Sequence, residues 1–449
     1  MYRLAFRNFI RSRSVIIALV LFLLVGIVSI FIGKQFLEKQ QAAIEAVTQL
    51  QKEQIERNVE YVQDQFGLLM YYLRFAYINP PDPVTALAIG QQDVNSSIQY
   101  LTIRGLEGQR YDTGLYNPYN QLTGNLDLSF VILFFFPLLI IAFNFNVLSQ
   151  ESELGTWPLV KVQVNQPLRF ILQKLGIRLI VVLALLFTLL ALAILIIGLP
   201  PSERLAAYIV TAVLYILCWF AVSFLVIALR RSSSVSALLL LCTWVMLCLL
   251  VPAIINNYLT VRYPVKEAYS TFIKQRDGYH TKWDKNADST MQAFFGHYPQ
   301  FRNYVWNSPK FNYMWYYAMQ QLGDDESAPD SEAMQRKLRQ RQQSAGTTAL
   351  FFPPMHAQLQ FTGIAGTGLE QHLHYLDSTA VFHENKKLHF FPKIFGDSAV
   401  IGENWAQHVP QYFQPANPVK WALLVMPFII FVTMLGAAGI LIFNKNEAK

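Results

Sequence analysis

The fold class this sequence predicts is an all-α polytopic membrane protein: six transmembrane helices with both termini inside, plus a mainly helical extracytoplasmic domain. Three observations predict it. Of 449 residues, 53% are hydrophobic and only 14% charged, where soluble proteins carry about 25% charged residues. Six runs without Lys, Arg, Asp or Glu are long enough for a hydrocarbon core that needs about 20 apolar residues: 15–33, 128–148, 179–199, 205–229, 235–255 and 421–443. The charges are also sorted. Segments 1–14, 149–178, 230–234 and 444–449 hold twelve of the 36 basic residues but only Glu151, Glu153 and Glu447 of the 29 acidic ones. That leaves 24 basic and 26 acidic residues elsewhere, so the net charge of +7 comes from these four segments, which the positive-inside rule assigns to the cytoplasm. The basic balance thus reports topology and gives no reason to expect a nucleic-acid partner.

Taken in order, residues 1–14 place Tyr2, Phe6, Phe9 and Ile10 beside Arg3, Arg7 and Arg11 at helical spacing, which predicts an amphipathic helix at the membrane surface. The first apolar run is expected to be retained as a membrane helix, because Lys34-Gln35-Phe36-Leu37 offers no small-residue cleavage site. Region 34–127 follows. Lys34–Tyr77 lacks proline and carries a seam of Ile55, Val59, Val62, Phe66, Leu69 and Leu73, predicting one long helix. Pro80-Pro81-Asp82-Pro83 ends it, and a loop-rich subdomain follows with one strand-like piece, Ile98–Ile103.

Asp127 stands at the mouth of the second span, where it can cap the helix or face a translocation path. Asn144 and Asn146, near the other end, face different directions on a helix, and at least one should point into protein because an amide is costly in lipid. The connection 149–178 is polar but structured. Glu151 and Glu153 are expected to open a short surface helix carrying Leu159, Val160 and Val162, and Pro167 restarts the chain. The links at 200–204 and 230–234 are tight turns.

Region 256–418 reads as mainly helical, interrupted at Pro264, Gly278, Pro299, Pro309, Gly323, Pro329 and Pro353-Pro354. Asp324–Glu332 is expected to be an acidic, solvated loop, followed by a charged surface helix. With fifteen basic and fourteen acidic residues, the region has no electrostatic preference for a charged polymer.

All eight histidines fall here. Glu370, His374 and Asp377 share a helical face and could hold a divalent ion; the other histidines match no zinc spacing. No cofactor is expected. Cys218, Cys242 and Cys248 all lie in apolar runs, so the outer regions cannot form disulfides. No lysine precedes Ser or Thr, so a phosphate-binding loop is absent and ATP must come with another polypeptide.

The order Glu-x-Glu-x-Gly-Thr-x-x-Leu, then Pro167 and Lys174, resembles the cytoplasmic loop between the second and third membrane helices of ABC-2 type ABC transporter permeases. The wider pattern NP…GNLDLSF…PLL…SQESELGT over 117–156, and more loosely FFPP to AGTGL over 351–369, is similar to a subgroup with large extracytoplasmic domains between its first and second and its fifth and sixth spans. The resemblance implies that 149–178 is a coupling helix touching an ATPase through Glu151, Glu153, Gly155, Thr156, Leu159 and Pro167. It also implies an elbow helix at 1–14, ABC ATPase subunits, a second permease subunit, identical or paralogous, and an extracytoplasmic partner. The location implied is a bacterial cytoplasmic (inner) membrane, with the lipid bilayer as solvent. The rival reading is a membrane-anchored metal-dependent enzyme or sensor that works through the histidine-rich domain.

Overall fold

A computed structural model describes residues 2–111, 125–164, 166–304, 306, 311–415 and 418–447, and the side chains from Phe6 onward. Asn117, Pro118 and Gly124 of the resemblance lie outside the described residues. The chain is mostly helical. Helix α1, Tyr2–Arg11, precedes α2, Arg13–Tyr61, whose 49 residues combine the first apolar run with a long projection beyond it. The other helices long and apolar enough to cross a membrane are α4 (Leu128–Glu153), α6 (Pro167–Gly198), α7 (Glu203–Ala228), α8 (Ser233–Arg262) and α14 (Trp421–Glu447). With α2 they make six among the described residues.

Helix starts follow local chemistry. Ser202 accepts a hydrogen bond from the Leu205 N–H at 3.1 Å at the head of α7, and Asp127 accepts one from Phe130 N–H at 2.7 Å at the head of α4. Of the two roles open to Asp127, capping is the one its contacts show; its second oxygen takes the Ile89 N–H at 2.8 Å. The second and fourth spans, α4 and α7, form the centre: 67% of their apolar windows is buried, against 22% for α2 and 11% for α8 and α14. Tyr215 donates to the Leu133 carbonyl at 2.7 Å, and Ser129 and Tyr208 hydroxyls meet at 3.0 Å, satisfying polar groups between these two helices.

The seam after the first span does not stay helical. α2 ends at Tyr61; Phe66–Tyr72 forms the short α3 and Phe75–Ile78 the strand β1. Ile55, Phe66, Leu69 and Leu73 are buried together in the aromatic core of the large domain, so burial satisfies the pattern without one continuous helix. β1 pairs antiparallel with β2 (Ile98–Leu101), Phe75 opposite Leu101, and parallel with β3 (Gln411–Tyr412). Because strand side chains alternate, Ala76 and Ile78 meet Ile44 of α2, while Phe75 and Tyr77 face the aromatic core. β2 falls within the strand-like piece Ile98–Ile103, and the small sheet sits in an otherwise mainly helical domain.

The remaining helices are α9 (Glu267–His280), α10 (Ala287–His297), α11 (Tyr313–Ala349), α12 (Pro353–Ala365) and α13 (Leu369–Phe395). The expected loop over 324–332 is absent: α11 runs unbroken through Pro329, and Asp324 is buried, accepting from Leu106 N–H at 2.6 Å and Glu107 N–H at 3.1 Å. Packing along α9 outweighs the proline signal. Domain and spans also share one core. Val84, Leu87, Ala88, Ala357, Phe361 and Ile364 are buried with span residues; Phe361 lies 4.6 Å from Tyr208 by ring centroids, and His356 Nε2 is 3.2 Å from the Leu424 carbonyl oxygen.

Candidate coupling surface

The four basic segments meet at one end of the bundle. Phe9 of α1 lies edge-on to Phe143 at 5.2 Å, and Arg178 stacks over Phe9 at 5.4 Å. Ser149 contacts Ser233 at 2.8 Å, Asn446 donates to the Ala228 carbonyl at 3.0 Å, and Arg230 pairs with Glu447. Between them stands α5, Trp157–Gln163, following a turn at the end of α4.

Its anchoring explains its faces. Trp157 is buried in the bundle core with Val160 packed behind it, and Lys161 pairs with Glu447 at 2.6 Å. Leu154, Leu159 and Val162 point away and are 67%, 64% and 87% exposed. Three exposed apolar side chains close together at the charged end of a helix bundle are unusual for a water-facing surface.

The two glutamates are placed differently from the sequence expectation. Glu151 and Glu153 lie in the short helical segment Ser149–Glu153, with Glu151 in its first turn, and not in α5. Each is already engaged. Glu151 accepts from Lys174 at 2.6 Å and from the Thr156 hydroxyl at 2.5 Å, while Glu153 accepts from Ser233 N–H at 2.7 Å and its hydroxyl at 2.8 Å, capping the head of α8. They and Thr156 therefore hold the turn in place within this chain. Gly155 has φ +70, and a Cβ there would meet nothing within 4 Å, so the position needs glycine for backbone conformation and not for close approach. Pro167 occupies the first turn of α6, where its missing N–H costs no helical bond.

In the span interior, Asn144 is fully buried and neither of its amide atoms has a hydrogen-bond partner among the described residues. Asn146 is partly exposed and donates to Gln150 at 3.2 Å. An unpaired buried amide costs about 1–3 kcal/mol, so Asn144 marks a weak point in the core.

The proposed metal ligands are not brought together. Asp377 is taken by Arg110 and Arg339, whereas Glu370 and His374 are exposed and line a cavity. A different group converges: His389 and His408 direct Nε2 atoms at the same Glu403 oxygen, at 2.9 and 2.8 Å. Sequence spacing could not find it, because β3 and the turns before it fold back from the chain end. The Lys393 ammonium also bonds Glu403 and lies 2.9 Å from His389 Nε2, filling the place of a cation. Burial alone would raise the Glu403 carboxyl, but the hydrogen bonds from Lys393, His389 and His408 outweigh it and hold it at about 2. Burial pushes the nearby Lys386 down to about 8. The group is an ion-paired clamp.

Among known proteins, residues 269–414 match a family model described as a domain of unknown function (DUF3526). The match falls between α8 and α14, covering about a third of the chain and none of its spans. No curated protein and no solved structure matches the chain.

Proposed function

We propose that this chain is the membrane subunit of an ATP-driven transporter of the ABC-2 type, worked by a separate ATPase that docks on α5. The observation that carries the reading is the pairing of a firmly anchored helix with an unpartnered apolar face, Leu154, Leu159 and Val162, at the basic end of the bundle. The basic end is the cytoplasmic one by the positive-inside rule, which puts this face where an ATPase would be. Because Glu151 and Glu153 are bonded internally, docking falls to the apolar side chains and to shape.

Force arriving at α5 has a direct route. Glu153 ties the turn to α8, Lys161 ties α5 to α14, and the core joining α4 and α7 to Phe361 and Leu87 extends into the large domain. This continuity favours delivery of motion to the extracytoplasmic domain, alongside or in place of substrate export. Asn144, buried without a partner, is where the packing of α4 would open most easily and meet water or substrate. Two such subunits, identical or paralogous, would work together in a bacterial inner membrane.

The test is copurification. The doubly substituted Leu159→Glu, Val162→Glu chain should reach the membrane at the parental level but lose its ATPase at least about tenfold, equivalent to about 1.4 kcal/mol. Undiminished recovery of the ATPase would refute docking at α5.

A further inference from the structure

At the end of the bundle opposite α5, a cavity of about 840 Å³ lies between the starts of α7 and α14 and the domain helices α11, α12 and α13. Its floor lies where two apolar helices begin. Arg204 is the second residue of α7, and Lys420 immediately precedes α14, so both cations stand at the level where an apolar span begins. Glu203 accepts the Trp421 indole N–H at 2.8 Å and holds the two span starts together.

The wall has two characters. Leu359 and Leu423 supply apolar surface, and Leu423 is 48% exposed. Arg204, Arg339 and Lys420 line the space against the single carboxylate of Glu370. Asp82 pairs with Arg204 and Asp377 with Arg339, so among the described lining residues Lys420 is the cation with no ion pair, and Arg204 beside it keeps further N–H donors. Two helical glycines, Gly346 of α11 and Gly363 of α12, also face the cavity, and a Cβ on either would meet nothing within 4 Å. Glycine inside a helix destabilises it relative to alanine, and here no close backbone approach requires it. What both glycines do is keep the space open.

We propose that this cavity binds an anionic phospholipid from the leaflet at this end of the bundle, with its phosphate near Arg204 and Lys420 and an acyl chain along Leu359 and Leu423. A free phosphate would use the cations and ignore the apolar wall; a neutral lipid would do the reverse. The proposal rests on the six spans lying in a bilayer and not on docking at α5. Its failure would therefore leave the transporter reading untouched, and the assay below needs no ATPase.

The experiment uses the purified full chain in detergent, titrated with short-chain phosphatidylglycerol, phosphatidylcholine of equal chain length and glycerol 3-phosphate. Phosphatidylglycerol should bind once per chain and at least about tenfold tighter than either of the others. Lys420→Gln should weaken it about tenfold, and Gly363→Phe should abolish it by filling the space. Gly346→Phe, from the opposite wall, repeats the test should Gly363→Phe not fold. Equal affinity for the two lipids, glycerol 3-phosphate matching phosphatidylglycerol, or undiminished binding by a folded phenylalanine variant would each overturn the proposal.

Discussion

Glu403 shows how single residues hold the large domain. A carboxyl kept at about 2 in the fold, against an ordinary 4.5, stabilises the folded chain at all pH above its unfolded value. That contribution is lost as pH falls from about 4.5 towards 2. Asp324 works the other way: burial, opposed by Lys387, lifts it to about 6, so its contribution is full below 3.8 and declines as pH rises through 6. The melting temperature of the detergent-solubilised chain should therefore drop on acidification below pH 3.8, where Asp324 no longer offsets the loss at Glu403, and Glu403→Gln should flatten that drop while lowering stability at neutral pH. An acid slope unchanged by Glu403→Gln would place the sensitivity elsewhere. None of this was legible in the sequence. The partners of Glu403 come from α13 and from the chain leading into β3, and no local spacing records a contact made by folding back. Asp127 was legible, because a capping carboxylate acts on the N–H groups that follow it directly.

At the scale of elements, each of the six apolar runs falls, to within a residue, inside one of six helices long and apolar enough to cross a membrane, because a hydrocarbon core imposes a length that sequence must meet. Shorter elements were harder to read. The seam of Ile55 to Leu73 was recognised as apolar, yet a spacing of three and four is also met by a helix, a turn and a strand that share one core. Pro329 misled for the opposite reason, since tertiary packing keeps α11 continuous across it. The turn joining α4 to α5 depends on Gly155 at φ +70. Alanine there should cost about 1–2 kcal/mol through its Cβ and keep the turn. Gly155→Pro fixes φ near −65° and removes the N–H that donates to Ser152 at 3.2 Å, so α5 cannot hold its place. ATPase recovery should fall severely with proline and mildly with alanine, with the acid melting profile of the large domain unchanged in both. Equal recovery with proline would show that the direction of α5 does not matter.

Over the whole molecule, two ends with different chemistry are joined by one core. The basic end collects α1, the α4–α5 turn, the α7–α8 link and the tail of α14; the other end seats Val84, Leu87 and Phe361 among the spans. Charge sorting in the sequence foretold which segments would gather, because the positive-inside rule acts on whole loops. The inward placement of residues 83–90 and 353–367 was not foretold, since their hydrophobicity is no greater than that of ordinary domain core. The central claim is that the exposed face of α5 lies in the cytoplasm against an ATPase. A photo-crosslinking amino acid at position 162, with a second at exposed Phe351 for comparison, tests it directly in intact cells. Position 162 is expected to crosslink a polypeptide carrying a Gly-Lys-Ser/Thr phosphate-binding loop, and position 351 is not; capture of extracytoplasmic proteins at 162, or of the ATPase at 351, would contradict the account.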